Sequence, residues 1–247
     1  MIELSSFNTD AHVAVIGASG GIGGAFCRGL AGSDRVSRVY ALSRSVAEFD
    51  DHKIRPSTLD LLDEASIAAA AARVSEDGPL DLVIVATGIL HRDDLQPEKT
   101  LRDIDGSRML DVLRVNTVGP AVVAKHFLPL MRRGAKSVFA VLSARVGSID
   151  DNRLGGWVSY RASKAALNMT MKTLAIEHAR RWPDGVVASL HPGTVATGLS
   201  EPFRSRVPAE KLFTPEIAAA HLLGVIDGLG PDDTGGFLAW DGSRITY

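Results

Sequence analysis

The chain has one cysteine, Cys27, so no internal disulfide can form and a disulfide-stapled secreted scaffold is excluded. Cys27 falls just inside a predicted first helix, where a buried structural thiol is the reading favoured over a reactive one. Charge of one sign is also lacking. The formal net charge is -2, the pI is about 6.4, and no long like-charge run occurs, which excludes the basic footprint of a nucleic-acid binder. No apolar stretch approaches the roughly 20 residues of a membrane span. The opening MIELSSFNTD has neither the basic n-region nor the apolar h-region of a signal peptide. Internal repeats, low-complexity tracts and linkers are missing too, and no metal site is predicted. These absences together suit a soluble, reducing, cytoplasmic compartment.

What is present is 247 residues, 45% of them hydrophobic, enough to bury one substantial core. Apolar runs of strand length alternate with helical patterns. Strands are predicted at 12–17, 38–43, 81–87, 137–143, 185–191 and 236–240, with a weaker one at 54–60. Helices are predicted near 21–32, 63–76, 106–132, 158–181 and 214–228. The last opens Thr214-Pro215-Glu216, an N-cap followed by proline at the first helical position. Nearly continuous apolar strands imply a sheet covered on both faces, and strand–helix alternation implies parallel βαβ units. The expected fold is a single α/β domain over residues 1–247. A long polar segment at 198–213 reads as a lid or as disorder.

The stretch VAVIGASGGIGGAF, residues 13–26, satisfies two patterns. Gly17 to Gly21, with Ser19 at its centre, is G-x-S-x-G, the turn that exposes a hydrolase nucleophile. Gly17, Gly21 and Gly23 also form a glycine-rich loop opening a helix onto a pyrophosphate. A hydrolase elbow sits after several strands, and its oxyanion-hole loop comes earlier in the chain. Ser19 follows the first strand, so nothing upstream can supply that loop. The phosphate reading gives each of its three glycines a role. Gly17 permits the sharp turn, Gly21 allows close approach to the diphosphate, and Gly23 allows helix–strand packing.

A second constellation supports that choice. SYRASKAALNM, residues 159–169, places Tyr160 and Lys164 four apart on one helical face. A lysine ammonium beside a phenol favours the phenolate and pulls the tyrosine down from about 10. Such a pair exchanges a proton with a carbonyl or alcohol oxygen near neutral pH. Alone, the spacing fits a solvated helix pair better. Combined with the glycine loop, VNTVGP (115–120) and HPGTVAT (191–197), it resembles the short-chain dehydrogenase/reductase family over essentially the full length. Residues 143–169 are similar to its C-factor and sniffer-like carbonyl reductase branch.

The resemblance implies a Rossmann fold, a doubly wound parallel sheet of about seven strands in the order 3-2-1-4-5-6-7, and hydride transfer to or from a nicotinamide. It implies Tyr160 as acid/base and Lys164 as its partner, also bonded to the nicotinamide ribose. Asn116 is implied as the residue whose backbone carbonyl holds a proton-relay water. Pro120 supports this, since it lacks the N–H that would bond the carbonyl of Asn116. Ser19, Gly20 and Ile22 join Gly17, Gly21 and Gly23 in the cofactor loop. Pro192, Gly193, Val195 and Thr197 are implied at the nicotinamide carboxamide, and Asp60 with Leu61 at the adenine. After the fourth strand the chain has Val85-Ala86-Thr87-Gly88, so Ala86 and Gly88 are expected near the cofactor but the family's bracing asparagine is missing. Counting three back from Gly147, the family's substrate-orienting serine is Ala144 here. Ser143 is the preferred replacement, Ser148 a distant second, and a vacant role the remaining option.

An acid gripping a 2′-hydroxyl belongs at the end of the second strand, and Ser43 and Arg44 stand there instead. An arginine fork suits a 2′-phosphate, so NADP (NADPH) is expected ahead of NAD. The expected partner is a small carbonyl or alcohol substrate, with pocket walls from 89–97, 144–157 and 198–213. Trp157 reads either as an aromatic wall or as a core anchor. The family also implies a homodimer or homotetramer through helices 106–132 and 158–181. The alternative function is a dinucleotide-binding signalling or redox-sensing protein on the same fold.

Overall fold

The computed structural model describes residues 3–92, 95–202, 208 and 211–247. Seven parallel strands form one sheet: β1 (Ala11–Ile16), β2 (Val36–Ser43), β3 (Ile54–Thr58), β4 (Leu82–Val85), β5 (Ser137–Leu142), β6 (Gly185–His191) and a last strand, Gly236–Ala239. A two-stranded pair, β7 (Thr194–Val195) and β8 (Leu212–Phe213), precedes that last strand in the chain, which is therefore β9. The sheet order is β3-β2-β1-β4-β5-β6-β9, the predicted order with β9 in seventh place.

Side-chain alternation along each strand builds two cores, as continuous apolar runs require. On one face Val13, Val15, Ile84 and Ala140 pack with Phe26 and Leu30 of α1 (Gly21–Ala31) and with Leu222 and Ile226 of α6 (Pro215–Gly228). On the other, Ile16, Val85, Phe139 and Val141 pack under α2 (Glu64–Ser75), α4 (Gly119–Phe127) and α5 (Val158–Ala179). Burying each of the larger of these side chains is worth about 1.5–3 kcal/mol. The weaker strand, β3, is an edge strand, where Pro56 leaves no central ladder bond unmade. No helix among the described residues is long and apolar enough to cross a membrane.

One predicted helix is broken. The 106–132 pattern becomes α3 (Gly106–Leu113), a π-helical turn (Arg114–Val118), α4, and a short 3-10 turn (Leu128–Leu130). Pro120 has no N–H to donate, and the Gly119 N–H reaches back to Arg114 O, five residues away. Asn116 lies in the middle of that π turn. Connections run opposite ways from β1 and β4, so a crevice opens at their carboxyl ends, where an open α/β sheet binds ligands.

Candidate active site

The first wall of the crevice is the turn between β1 and α1. Gly17 has φ of 93°, and a side chain there would meet Ala86 O and Thr87 Cγ2 at 3.0 Å. A Cβ on Gly23 would lie 2.1 Å from Gly17 O, so helix and turn touch only because residue 23 is a glycine. Gly20 precedes helix α1 and offers it no side-chain cap, and the first turn of the helix carries no acid. Its leading N–H groups are thus left for an anion, and Gly20, Gly21 and Ile22 line the cavity. Ser19 is exposed and has no histidine or aspartate partner among the described residues, so nothing activates it as a nucleophile.

At the ends of the next strands, Ser43 is buried and donates to Ser45 O at 2.7 Å, whereas Arg44 is exposed and makes no ion pair among the described residues. Leu42 O accepts from the N–H groups of Gly17 and Ala18, which ties this strand end to the glycine turn. Asp60 Oδ1 accepts from Leu62 N at 2.9 Å, and Leu61 packs where a Gly119 side chain would stand. Ala86, Thr87 and Gly88 line the crevice at the end of β4.

The missing bracing asparagine after β4 does not leave that segment loose. The fully buried Asn116 supplies the brace: its Oδ1 accepts from Ile89 N and its Nδ2 donates to Ile89 O, both at 2.8 Å. Nδ2 also donates to Ser163 Oγ at 3.0 Å, and Ser163 Oγ donates to Tyr160 O at 2.8 Å. The π turn, the β4 loop and the start of α5 are therefore one hydrogen-bonded unit. Gly88 stands between its parts, and a Cβ there would be 3.5 Å from both Asn116 Oδ1 and Lys164 Nζ.

Tyr160 and Lys164 meet on α5 as their spacing predicts. Lys164 Nζ is 5.9 Å from the Tyr160 ring centre and donates to Leu142 O at 2.8 Å. The expected lowering of the phenol is corrected by the structure. Burial raises the Tyr160 phenol above its ordinary value, and burial also brings Lys164 down to about 8. Desolvation outweighs attraction because both groups are enclosed and the ammonium turns to a backbone carbonyl. Tyr160 is consequently a protonated phenol at neutral pH.

Beside it, Ala144 presents only a methyl group to the cavity. Ser143 also lines it, and its hydroxyl bonds Asn168 Oδ1 at 2.7 Å, one helical turn beyond Lys164. Ser148 is buried and its Oγ accepts from Asp151 N. The Asn168 Nδ2 is buried with no hydrogen-bond partner among the described residues. Pro192, Gly193, Val195 and Thr197 form the opposite wall. His191 precedes them, and burial first, then the Arg145 charge, push its imidazole down to about 4, so it is neutral. Trp157 settles as a wall: it lines the cavity and meets Tyr160 edge-to-face at 6.3 Å. Leu90, Arg145, Val146, Leu199 and Ser200 complete a cavity of about 480 Å³. Of the 198–213 segment, residues 203–207 and 209–210 lie outside the described residues.

Asn168 and Ser163 are absent from the residues singled out by sequence. Their signal was the polar stripe at 160, 163, 164 and 168, one face of a helix that buries all four.

Residues 11–208 match the family model described as short chain dehydrogenase. The chain belongs to the short-chain dehydrogenase family. It is 38% identical, over 76% of its length and 78% of the relative's, to a 1-hydroxy-2-glutathionyl-2-methyl-3-butene dehydrogenase from Rhodococcus sp. strain AD45. It is 33% identical to the C-signal protein of Myxococcus xanthus, over 69% of this chain and 94% of that one. Among solved structures it superposes on the NADPH-bound carbonyl reductase from chicken fatty liver with a TM-score of 0.83 and 27% identity, covering 98% of this chain and 96% of the other. As a short-chain dehydrogenase it is an oxidoreductase, and the family's cofactor is a nicotinamide dinucleotide. The uncapped α1 terminus and the side-chain-free glycine cradle fit the diphosphate of such a molecule.

Proposed function

We propose that this short-chain dehydrogenase is an NADP-dependent carbonyl reductase that interconverts a ketone or aldehyde and its alcohol. The observation that carries the reading is a protonated, buried phenol, Tyr160, backed by Lys164 in the cavity shared with the glycine cradle. When bound, NADPH supplies the hydride. The Tyr160 phenol gives its proton to the carbonyl oxygen, and the Lys164 ammonium stabilises the phenolate left behind. Asn116 holds the β4 loop and Tyr160 in register, and the carbonyl carried by its π turn serves the proton relay. Gly17, Ser19, Gly20, Gly21, Ile22 and Gly23 hold the diphosphate, while Asp60 and Leu61 flank the adenine. Ala86 and Gly88 pass close to the ribose, with Pro192, Gly193, Val195 and Thr197 at the carboxamide.

Ser143 orients the substrate. Turning the Asn168 amide over lets Nδ2 donate to Ser143 Oγ, which satisfies a buried donor and frees the serine proton for a carbonyl oxygen. The apolar wall of Leu90, Val146, Trp157 and Leu199 suits a hydrophobic carbonyl compound. Likeness to the NADPH-bound chicken enzyme and to the Rhodococcus dehydrogenase supports the reaction class. Likeness to the C-signal protein favours one other reading, a dinucleotide-binding signalling protein with weak turnover, against which the complete Tyr160–Lys164 arrangement stands. Assembly into dimers or tetramers through α3, α4 and α5 accompanies the proposal.

Arg44 tests the cofactor. Its guanidinium is exposed and makes no ion pair among the described residues, beside the glycine turn. Arg44→Ala is expected to weaken NADPH binding about ten- to a hundredfold, the scale of a charge-assisted contact, and to leave NADH binding little changed. The difference should shrink at high salt, where screening weakens the wild-type contact. Fluorescence titrations of both dinucleotides on both proteins measure it. Equal weakening of the two would assign Arg44 to adenine stacking and remove the NADP preference.

A further inference from the structure

Helix α5, which carries Tyr160 and Lys164, begins without a cap of its own. Trp157 precedes it at φ 53°, ψ 45°, following Gly155 and Gly156 at φ of 64° and 67°. Glycine enters that region freely, but a bulky side chain there is strained and persists only where its surroundings hold it. The first N–H groups of the helix also need acceptors. One residue from another part of the chain meets both needs. Glu98, in the connection between β4 and α3, accepts from Trp157 N through its backbone carbonyl at 2.6 Å. Its carboxylate accepts from Ser159 N at 3.2 Å and from the Ser159 hydroxyl. Glu98 is only 6% exposed, and its carboxyl oxygens lie at the amino end of a 22-residue helix, where the leading N–H groups need acceptors.

We infer that Glu98 is a positioning residue for the reaction: it caps the catalytic helix from outside and locks Trp157 in its strained conformation against Tyr160. The inference rests on the reading of Tyr160 as proton donor. The connection that carries Glu98 is fastened at its other end by Asn116, through both polar groups of Ile89. Between these anchors, His91 Nε2 is 2.9 Å from Gly198 O, in the segment after β7. The connection thus spans the β4 end, the substrate wall and the start of α5. Removing the Glu98 carboxylate leaves the Trp157 N to Glu98 O bond in place but takes the acceptor from Ser159 N and the Ser159 hydroxyl, so Ser159 loses its tie and the first turn of α5 frays. Tyr160 sits in that turn, whereas the glycine cradle lies on another element.

Glu98→Ala and Glu98→Gln, made in the full chain, test this by steady-state kinetics, NADPH titration and amide hydrogen exchange. Glu98→Ala should lower kcat about 10- to 100-fold, the penalty of a catalytic group displaced by roughly 1 Å. NADPH affinity should stay within about twofold. The Ser159 amide should lose protection while amides from Leu167 to Ala175 keep theirs. Glutamine retains an acceptor for Ser159 N and should restore both the protection and kcat to within about threefold. Wild-type kcat in a folded Glu98→Ala variant, or kcat falling in step with NADPH affinity, would overturn the assignment. So would a folded Glu98→Gln variant with kcat lowered about tenfold or more (1.36 kcal/mol or more), and this variant decides alone if Glu98→Ala does not fold. The two proposals fail separately. If Tyr160 is not the donor, Tyr160→Phe keeps its rate while Ser159 protection still depends on Glu98; if the cap is irrelevant, Tyr160→Phe is inactive and Glu98→Ala is not.

Discussion

Replacing Tyr160 with phenylalanine is expected to lower carbonyl reduction about 10²- to 10⁴-fold, the usual contribution of a positioned general acid, and to leave NADPH binding nearly intact. The ring remains to pack edge-to-face against Trp157, so the wall of the cavity is preserved and only the proton is removed. Burial raises the phenol, which keeps it protonated across the neutral range and suits it to the reduction direction. Lys164, brought down to about 8 by burial, sets the upper limit. Below that pH the lysine is an ammonium and stabilises the phenolate formed as the proton leaves; above it the charge is lost. The wild-type rate of reduction should therefore fall as the pH rises through about 8. A variant retaining more than about a tenth of wild-type kcat, a loss under 1.36 kcal/mol, would show that Tyr160 is not the acid.

Ser143→Ala is expected to cost about 10²-fold or more in kcat, on the scale of one lost oxyanion donor, while Ser148→Ala stays near wild type. The two serines differ in what they face. Ser143 lines the cavity opposite Asn168, and the Ser148 hydroxyl accepts from Asp151 N and is absent from the lining. Ala144, next to Ser143, presents only a methyl to the cavity, so no second hydroxyl stands beside Ser143 to compensate. Kinetics of both variants on one carbonyl substrate decide the matter. Near-normal activity in both would leave the orienting role vacant in this enzyme.

Much of the fold and of the site was legible in the residues because it rests on local rules. Continuous apolar strands demand a sheet covered twice, and the cores on either side of Val15 and Ile16 are that cover. The glycine spacing demanded a turn pressed against a helix, and a Cβ on residue 23 would indeed fall 2.1 Å from Gly17 O. Pro120 announced a disturbed helix, though not that it would resolve as a π turn. What stayed hidden depended on enclosure and on distant partners. A lysine four residues from a tyrosine predicts a lowered phenol, yet the solvent removed from around both groups weighs more, and burial is a tertiary property. The brace after β4 could not be read from Ala86 and Thr87, since it comes from Asn116, 27 residues from Ile89. Trp157 was open between wall and core because its left-handed backbone is fixed by Glu98, from a segment with no motif of its own.

That hydride passes between a nicotinamide and a carbonyl carbon on this protein is tested most directly by isotope transfer. NADPH deuterated at C4 in one configuration, then in the other, is incubated with the wild-type enzyme and a panel of aldehydes and ketones. Mass spectrometry of the alcohols should find deuterium at the carbinol carbon from one of the two NADPH forms alone, since a cofactor held in a fixed pocket presents a single face. Tight NADPH binding with no deuterium delivered to any carbonyl compound would contradict the reductase reading and leave a dinucleotide-binding signalling protein in its place.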